Sequence, residues 1–553
     1  MAEAVRVAND PFALEMIWAR LVAIADEAGN ALIRTSFSPI VRESKDFSCV
    51  LLDANGDSLS QNAVTVPVFC GTLPRTMRHF LKKFPRETWR PGDAVITNDP
   101  WLGTGHYPDF TVATPVFYKG RLVAFAGAIA HMPDIGGVLY SADSKELFEE
   151  GLAVPISKLY AEGRPNELLL DIIRANVRTP DLTLGDLHAE LASTHVMARR
   201  LVDVMDEYGI EDWADIGAKI HDRSELSMRQ AIRALPDGVY RGSVEMDDIE
   251  GAAARIEIAI KVDGDNLHCD YAGTTLQVGR GVNVVYNSTF AHTCYNIKCA
   301  INPEIPNNQG AFRPIAVSVP EGSILNCTRP APVNARQLTT HYIHAAVFNA
   351  LSQAAPNKVI AECGAPSNRT LFAGHRFDGS KYSILLFASG GMGARLDQDG
   401  LPCTTFPTNS GASSVEVVES DIPVLVRRKE LTVDSGGPGT YRGGLGQTIA
   451  YEVLADGATD VSILMERTTR PPKGHHGGGT GAKATLKMVN RQLPLSAKGR
   501  VSLKKGDVFE FSCPGGGGVG DAKLRDRDAV SDDLRLGFIS MDAAVRDYGW
   551  DDK

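Results

Sequence analysis

Long apolar runs are missing from this 553-residue chain: no stretch of about 18 consecutive apolar residues occurs, which argues against a membrane-spanning helix. Positive charge is not in excess either. Lys and Arg number 57 against 67 Asp and Glu, a net charge of −10, so the basic surface that non-specific nucleic-acid binding needs is not expected. The nine cysteines include no CxxC pair, Cys294 and Cys299 lying closest. An odd number without repeated spacing argues for reduced thiols, most of them small buried hydrophobes, rather than a disulfide framework. The opening MAEAVRVANDPFALEMIW lacks a basic region followed by an apolar stretch, so no secretory signal is read and a cytoplasmic location is expected.

Nucleotide-binding signatures are missing as well. CPGGGGVGD, from Cys513 to Asp521, lacks the Gly-Lys-Ser/Thr ending of a P-loop. GGGTGA, from Gly477 to Ala482, runs into strand-like ATLKMV instead of opening a helix. DSGGP, from Asp434 to Pro438, has no histidine block upstream to complete a triad and reads as a glycine turn. The chain therefore carries no visible ATP, dinucleotide or serine-protease site.

What is present is an ordinary globular mix, long enough for two to four domains of about 150 residues. Asp10 and Pro11 open a helix whose apolar face is Leu14, Ile17, Trp18, Leu21, Ala25 and Ala28. FSCVLLD and the run after Asn55-Gly56 read as a hairpin, and Leu73 to Phe84 as a second amphipathic helix. Residues of about 183 to 235 are helical in texture. After Pro236, VYRGSVEM, ARIEIAIKV and NLHCDYAG alternate like strands, and helix returns from Thr339 to Ala354. Residues 431–520 hold 19 of the 53 glycines, which marks a β-like, turn-rich segment. Ser531 to Trp550 reads as a strand and a short helix. The expected fold is mixed α/β (α+β), in three regions: 1–235, 236–420 and 421–553.

Residues 98–137, NDPWLGTGHYPDFTVATPVFYKGRLVAFAGAIAHMPDIGG, hold the chemistry. His-x-x-Asp occurs twice, as His106 with Asp109 and His131 with Asp134. Between them FTVATPVFY and LVAFAGAIA are joined at Lys119-Gly120-Arg121. A hairpin with that three-residue loop sets Asp109 directly opposite His131, on one face with Cβ atoms about 5 Å apart. A two-residue loop would shift the register by one and flip the faces, and Pro115 implies an edge strand or a bulge. Two imidazoles and a carboxylate suit a divalent Mn, Fe or Zn ion with positions left for water or substrate; hairpin-end polar residues bonded to nearby backbone are the plainer reading. His341 and His344, three apart on one helix face, read as buried helix positions, and His475-His476 as a surface loop. Arg336 and Asn307-Asn308 could reach a polar substrate or serve a salt bridge or turn.

Six blocks in order, RESKDFSCVLLDANGDSL, NDPWLGTGHYPDFTV, AHMPDIGG, IPNNQGAFRPIAVSVPEGSILN, SGGPGTYRGGLGQ and CPGGGGVGD, give a chain that resembles the hydantoinase B/oxoprolinase family from about residue 10 to 545. The resemblance implies a metal site of His106, Asp109 and His131 with Asp46 as a fourth ligand, and Asp134 as a catalytic or ligand-orienting group. It implies a partner, a hydantoinase A-type ATPase subunit supplying ATP and Mg, in a heterotetramer or larger assembly. The expected reaction is ATP-dependent opening of a cyclic amide such as a hydantoin, 5-oxoproline or a lactam. A ketone carboxylase subunit using bicarbonate, or a non-catalytic scaffold for the ATPase, are the alternatives. Many relatives have a histidine after the Pro-Val of VPVFCG; here Phe69 and Cys70 stand instead, which implies a more apolar pocket.

Overall fold

In the computed structural model, which describes residues 10–365 and 368–551, Asp10 caps the helix Pro11–Thr35 by accepting from the Phe12 and Ala13 amides. Of the opening eighteen residues, in which no secretory signal is read, the first nine lie outside the described residues. Among those described, no helix is long and apolar enough to cross a membrane, and all nine cysteines are free thiols.

The site is built on a seven-stranded sheet: β1 (Phe47–Asp53), β2 (Ser58–Gln61), β3 (Ala94–Thr97), β4 (Asp109–Tyr118), β5 (Arg121–His131), β6 (Ser157–Ala161) and β7 (Arg164–Pro165). Their spatial order is β2-β1-β5-β4-β3-β6-β7, with every pairing antiparallel. Both faces are buried, and period-two alternation divides the side chains between them. Val50, Leu52, Ala113, Phe125 and Ile129 join Leu73, Met77 and Phe80 of the helix Phe69–Lys83 in one apolar layer. Cys49, Leu51, Ala126, Ala128 and Ala130 share the other layer with Leu187, Leu191 and Leu201 of the helix Pro180–Tyr208. Gly127 is a close-approach position, because a Cβ there would meet Leu73 Cδ2 at 2.8 Å.

The β4–β5 hairpin corrects the expected loop and explains why the expected pairing survives. Tyr118 pairs with Arg121, leaving a two-residue Lys119-Gly120 turn in which both residues have positive φ (48° and 78°), as a primed hairpin turn requires. A bulge then intervenes: Val116 pairs with Ala124 and Phe117 with Leu122, so Val123 is the extra residue. The bulge restores the residue lost from the loop, and Asp109 pairs with His131. Of the edge strand or bulge expected at Pro115, the bulge is found, between Val116 and Phe117, and the edge strand is not. β4 lies between β5 and β3, but β3 reaches only from Thr111 to Ala113, so Pro115 sits past its end.

The middle region forms a second sheet, β11-β10-β9-β8, from β8 (Gly238–Ile249), β9 (Ala252–Asp263), β10 (Asn266–Asp270) and β11 (Ile315–Ser318). It is accompanied by two almost wholly buried helices, Tyr286–Ile301 and Gln337–Leu351. Beyond residue 360, β12 (Asn368–His375) and β13 (Lys381–Ala388) pair with β16 (Thr459–Leu464) and β18 (Lys498–Leu503) in one sheet. β14 (Val424–Leu431), β15 (Gln447–Val453), β17 (Thr485–Met488) and β19 (Val508–Ser512) form another. The glycine-heavy segments between them pack backbone on backbone. Gly391 donates to Pro514, Gly516 to Gly444 and Gly437 to Gly516. A Cβ on Gly391 would lie 1.8 Å from the Gly444 carbonyl oxygen, so these positions admit no side chain. The strand expected within Ser531 to Trp550 is absent among the described residues. Asp526 caps the helix Arg527–Arg535 and Ser540 the helix Met541–Tyr548, and Ile539 of the apolar connector packs with Val530, Ala543 and Tyr548.

Candidate metal centre

Asp109 opens β4 and His131 ends β5, so the hairpin register alone places them together, with His131 Nδ1 3.0 Å from Asp109 Oδ1. Asp46 immediately precedes β1, whose partner is β5. Its carbonyl accepts the His131 amide, and its carboxylate Oδ2 lies 4.0 Å from His131 Nδ1. His106 arrives from the Gly103–Gly105 loop, with Nε2 2.9 Å from Asp109 Oδ1. All four side chains are buried. His106, Asp109 and His131 each offer a ligand atom within 4.8 Å of the other two.

The proton on His106 can be placed. Its Nδ1 lies 2.9 Å from the Asn334 carbonyl oxygen, an acceptor, so Nδ1 carries the hydrogen. Burial, then the charge of Arg336, pushes the ring down to about 3, so at neutral pH it is uncharged and Nε2 holds a bare lone pair. That atom has no hydrogen-bond donor and faces a carboxylate oxygen at 2.9 Å. Two buried acceptors so close repel unless a cation lies between them. A first-row divalent ion with bonds of about 2.1 Å at right angles holds its ligand atoms about 3.0 Å apart, which matches the 2.9 and 3.0 Å found here. The Nδ1–H bond to a backbone carbonyl is the usual way a ligating imidazole is oriented. The donor set therefore fits a divalent transition ion.

Other residues fix these groups. Asp109 Oδ2 accepts from Thr104 Oγ1 at 2.6 Å and Arg336 Nη2 at 2.7 Å. Burial by itself would raise the Asp109 carboxyl, but its neighbours, the charged Arg336 among them, outweigh it and hold it well below the carboxylate range. Burial raises the Asp46 carboxyl, with His131 and Arg369 partly opposing; Arg369 Nη2 lies 3.7 Å from it. Arg369 also donates to Tyr140 at 2.6 Å, and Tyr140 to Gln337. Glu150, pushed up to about 7 by burial, accepts the Val333 and Asn334 amides and so holds the loop that orients His106.

These groups enclose a cavity of about 30 Å³, which Phe69, His292, His341 and Thr340 also line. Phe69 thus makes one wall apolar, whereas the Cys70 thiol contacts Ser58 instead. His341 is buried and bonded to Thr408. Arg336 proves to be the partner of Asp109. Asp134 lines a neighbouring cavity behind His131, where it pairs with Arg178 at 2.7 Å and also accepts the Arg178 amide. Thr104, Tyr140, Glu150, His292, Asn334, Gln337 and Arg369 were not picked out from the sequence. Asn334 and Arg369 lie more than 200 residues from the His106 and Asp46 side chains they face, so no local spacing marks them.

The chain matches the Hydantoinase B/oxoprolinase family over residues 10–522. It is 30% identical to the B subunit of a putative D-/L-hydantoinase from a Pseudomonas species, over 98% of this chain and 95% of that one. It is also 30% identical to the beta subunit of the caprolactamase of Pseudomonas jessenii, over 98% and 96% of the two chains. The crystal structure of the ATP-dependent caprolactamase from that organism superposes with a TM-score of 0.90 at 27% identity, covering 98% of this chain and 96% of that one. An acetone carboxylase structure, 20% identical and covering 98% and 80%, shares the fold with a TM-score of 0.89. With a buried two-histidine, two-aspartate cluster on the shared fold, this chain belongs to the hydantoinase B/oxoprolinase family.

Proposed function

We propose that this chain is the metal-binding B-type subunit of an ATP-dependent amidohydrolase that opens a cyclic amide, working with a separate ATPase subunit in the cytoplasm. The observation that carries the metal reading is the His106 Nε2 lone pair facing the Asp109 carboxylate at 2.9 Å with no donor between them. Relatives named for a hydantoinase and a caprolactamase, each as one subunit of its enzyme, support the substrate class and the partner.

His106, Asp109 and His131 would hold a divalent Mn, Fe or Zn ion, with Asp46 as fourth ligand. Such an ion supplies Lewis acidity toward a carbonyl and lowers the pKa of bound water. Arg336 keeps Asp109 ionised and turned toward the two imidazoles. The Asn334 carbonyl keeps the His106 lone pair on Nε2. Burial raises the Asp46 carboxyl, which a cation bound beside it would offset. Asp134 holds the turn after His131 through Arg178 and positions that ligand. An amide resists attack by water because nitrogen donates into the carbonyl. ATP, with Mg in the partner, would supply the driving force through a phosphorylated species.

The test is phosphate release by this chain co-purified with its ATPase subunit, using hydantoins, 5-oxoproline and larger lactams. Release coupled to a ring-opened amino acid, abolished by verified metal removal and restored by metal, is the expected result. Full activity without metal would overturn the mechanism. Release only with a ketone and bicarbonate would make the chain a carboxylase subunit.

A further inference from the structure

Beside the metal cavity lies a far larger cleft of about 540 Å³, within the range of small-molecule sites. A single thickness of chain separates the two. Thr65 and Pro67 line the cleft, while Val66 and Val68 line the metal cavity. Phe406, Pro407 and Asn409 line the cleft, while Thr408 lines the metal cavity. The two segments are tied together by Asn409 Nδ2 donating to the Thr65 carbonyl at 3.0 Å. Thr408 Oγ1 adds a tie to His341 at 3.0 Å. The metal cavity, at about 30 Å³, has room for one or two waters and is smaller than any amide ring. A ring can reach the ligands only if part of their enclosure moves.

The wall borders a space of substrate size. The other cavity that touches His131 is about 20 Å³. Cys403 and Asn409, at φ 49° and 58°, bracket residues 404–408 with left-handed backbone that L-residues rarely adopt. The cleft lining is mainly uncharged and amide-rich. Asn62, Asn307 and Asn409 stand there with Thr65, Thr405 and Phe406, and the buried Asn307 Oδ1 has no donor. Its two charged residues fit the same reading: Lys298 is nearly buried and donates to the Pro303 carbonyl at 3.2 Å, and Glu304 is exposed at the rim. Carboxamides both donate and accept, which complements a ring amide rather than an anion.

We infer that a neutral cyclic amide first binds in this cleft and passes to the metal centre through the partition formed by residues 65–68 and 404–409, latched by Asn409. The inference rests on the amidohydrolase reading.

The test is hydrogen–deuterium exchange on the full chain with hydantoin, 2-pyrrolidone or ε-caprolactam as probes and anionic 5-oxoproline as the contrast. A neutral probe at saturation is expected to slow exchange in residues 61–67, 303–307 and 404–409, and 5-oxoproline to do so less. Asn409→Gly and Asn409→Asp keep a residue tolerant of positive φ but cannot donate to Thr65. Each is expected to speed exchange at 65–68 and 404–409 at least fivefold. The proposal is overturned if no neutral probe protects the cleft, if protection falls elsewhere, or if both variants exchange at wild-type rates. Turnover by the complex reports separately. Loss of the amidohydrolase reading appears as no amide-dependent phosphate release, and loss of the partition appears as normal turnover with these exchange results absent.

Discussion

Replacing Asp109 by Asn changes almost no volume and removes one charge at the point where the cluster converges. In the wild type that charge faces Arg336 at 2.7 Å, with side-chain exposures of 1% and 8%. Removing one member of such a buried pair costs roughly 3–5 kcal/mol, because the other charge is left uncompensated. The new amide can return part of that. If its NH2 occupies the place of Oδ1, it donates to the His106 lone pair 2.9 Å away, a hydrogen bond worth about 1 kcal/mol. The metal-free variant should therefore be less stable by about 2–4 kcal/mol. Divalent metal at a hundred times its Kd should stabilise the wild type by about 2.7 kcal/mol, whereas Asp109→Asn, with a ligand lost and a donor facing His106, should show no such gain. Denaturant unfolding with and without Mn, Fe(II) or Zn, together with metal content by mass spectrometry, measures both effects. A variant that retains stoichiometric metal and the full metal-induced shift would refute the assignment of Asp109, and a wild type stabilised by none of the ions would refute the site.

Glu150→Ala removes the acceptor of two buried amides and should cost about 2–6 kcal/mol at roughly 1–3 kcal/mol for each orphaned group. Because the Asn334 carbonyl orients His106, metal affinity should fall about 10–100-fold by titration calorimetry; Glu150→Gln, which still accepts, should lie near wild type. Burial pushes His292 and His344 down from 6.5 to about 4. The unfolded chain therefore takes up their protons first, and their contribution is intact above about pH 6.5 and lost as pH falls toward 4. The loss is about 3 kcal/mol each by pH 4, so guanidinium midpoints should drop steeply between pH 6.5 and 4.5; a flat profile would show that these rings reach solvent. Gly120 has φ 78° and nothing within 4 Å of a built Cβ. Gly120→Ala therefore isolates the backbone cost of a primed turn, about 1 kcal/mol by unfolding, and an unchanged midpoint would mean that the turn relaxes freely.

The local pattern was sufficient for the hairpin that carries Asp109 and His131. Strand alternation and a turn at Lys119-Gly120 confine their pairing to one of two registers, because period two allows only two faces. Which of the two holds was decided by the bulge at Val123, a cancellation of loop length against strand length that FTVATPVFY and LVAFAGAIA do not advertise. The helix opened by Asp10 was legible for the same local reason, a cap followed by a 3.6-residue apolar period. The helices at Arg527 and Met541 were harder to read, since their short amphipathic turns flank an apolar GFIS connector that resembles a strand. The composition of residues 431–520 likewise marks glycine abundance but not its use, which is contact between backbones distant in sequence. The groups that tune the centre belong to the tertiary structure alone. Arg336 and Asn334 lie beside the buried helix Gln337–Leu351 and Arg369 lies on β12, and the sequence cannot tell that these segments close over the hairpin. Ligand chemistry resides in side chains that one hairpin brings together, whereas protonation and access depend on whatever covers it, and that cover is assembled from segments up to about 300 residues away, as Thr408 shows.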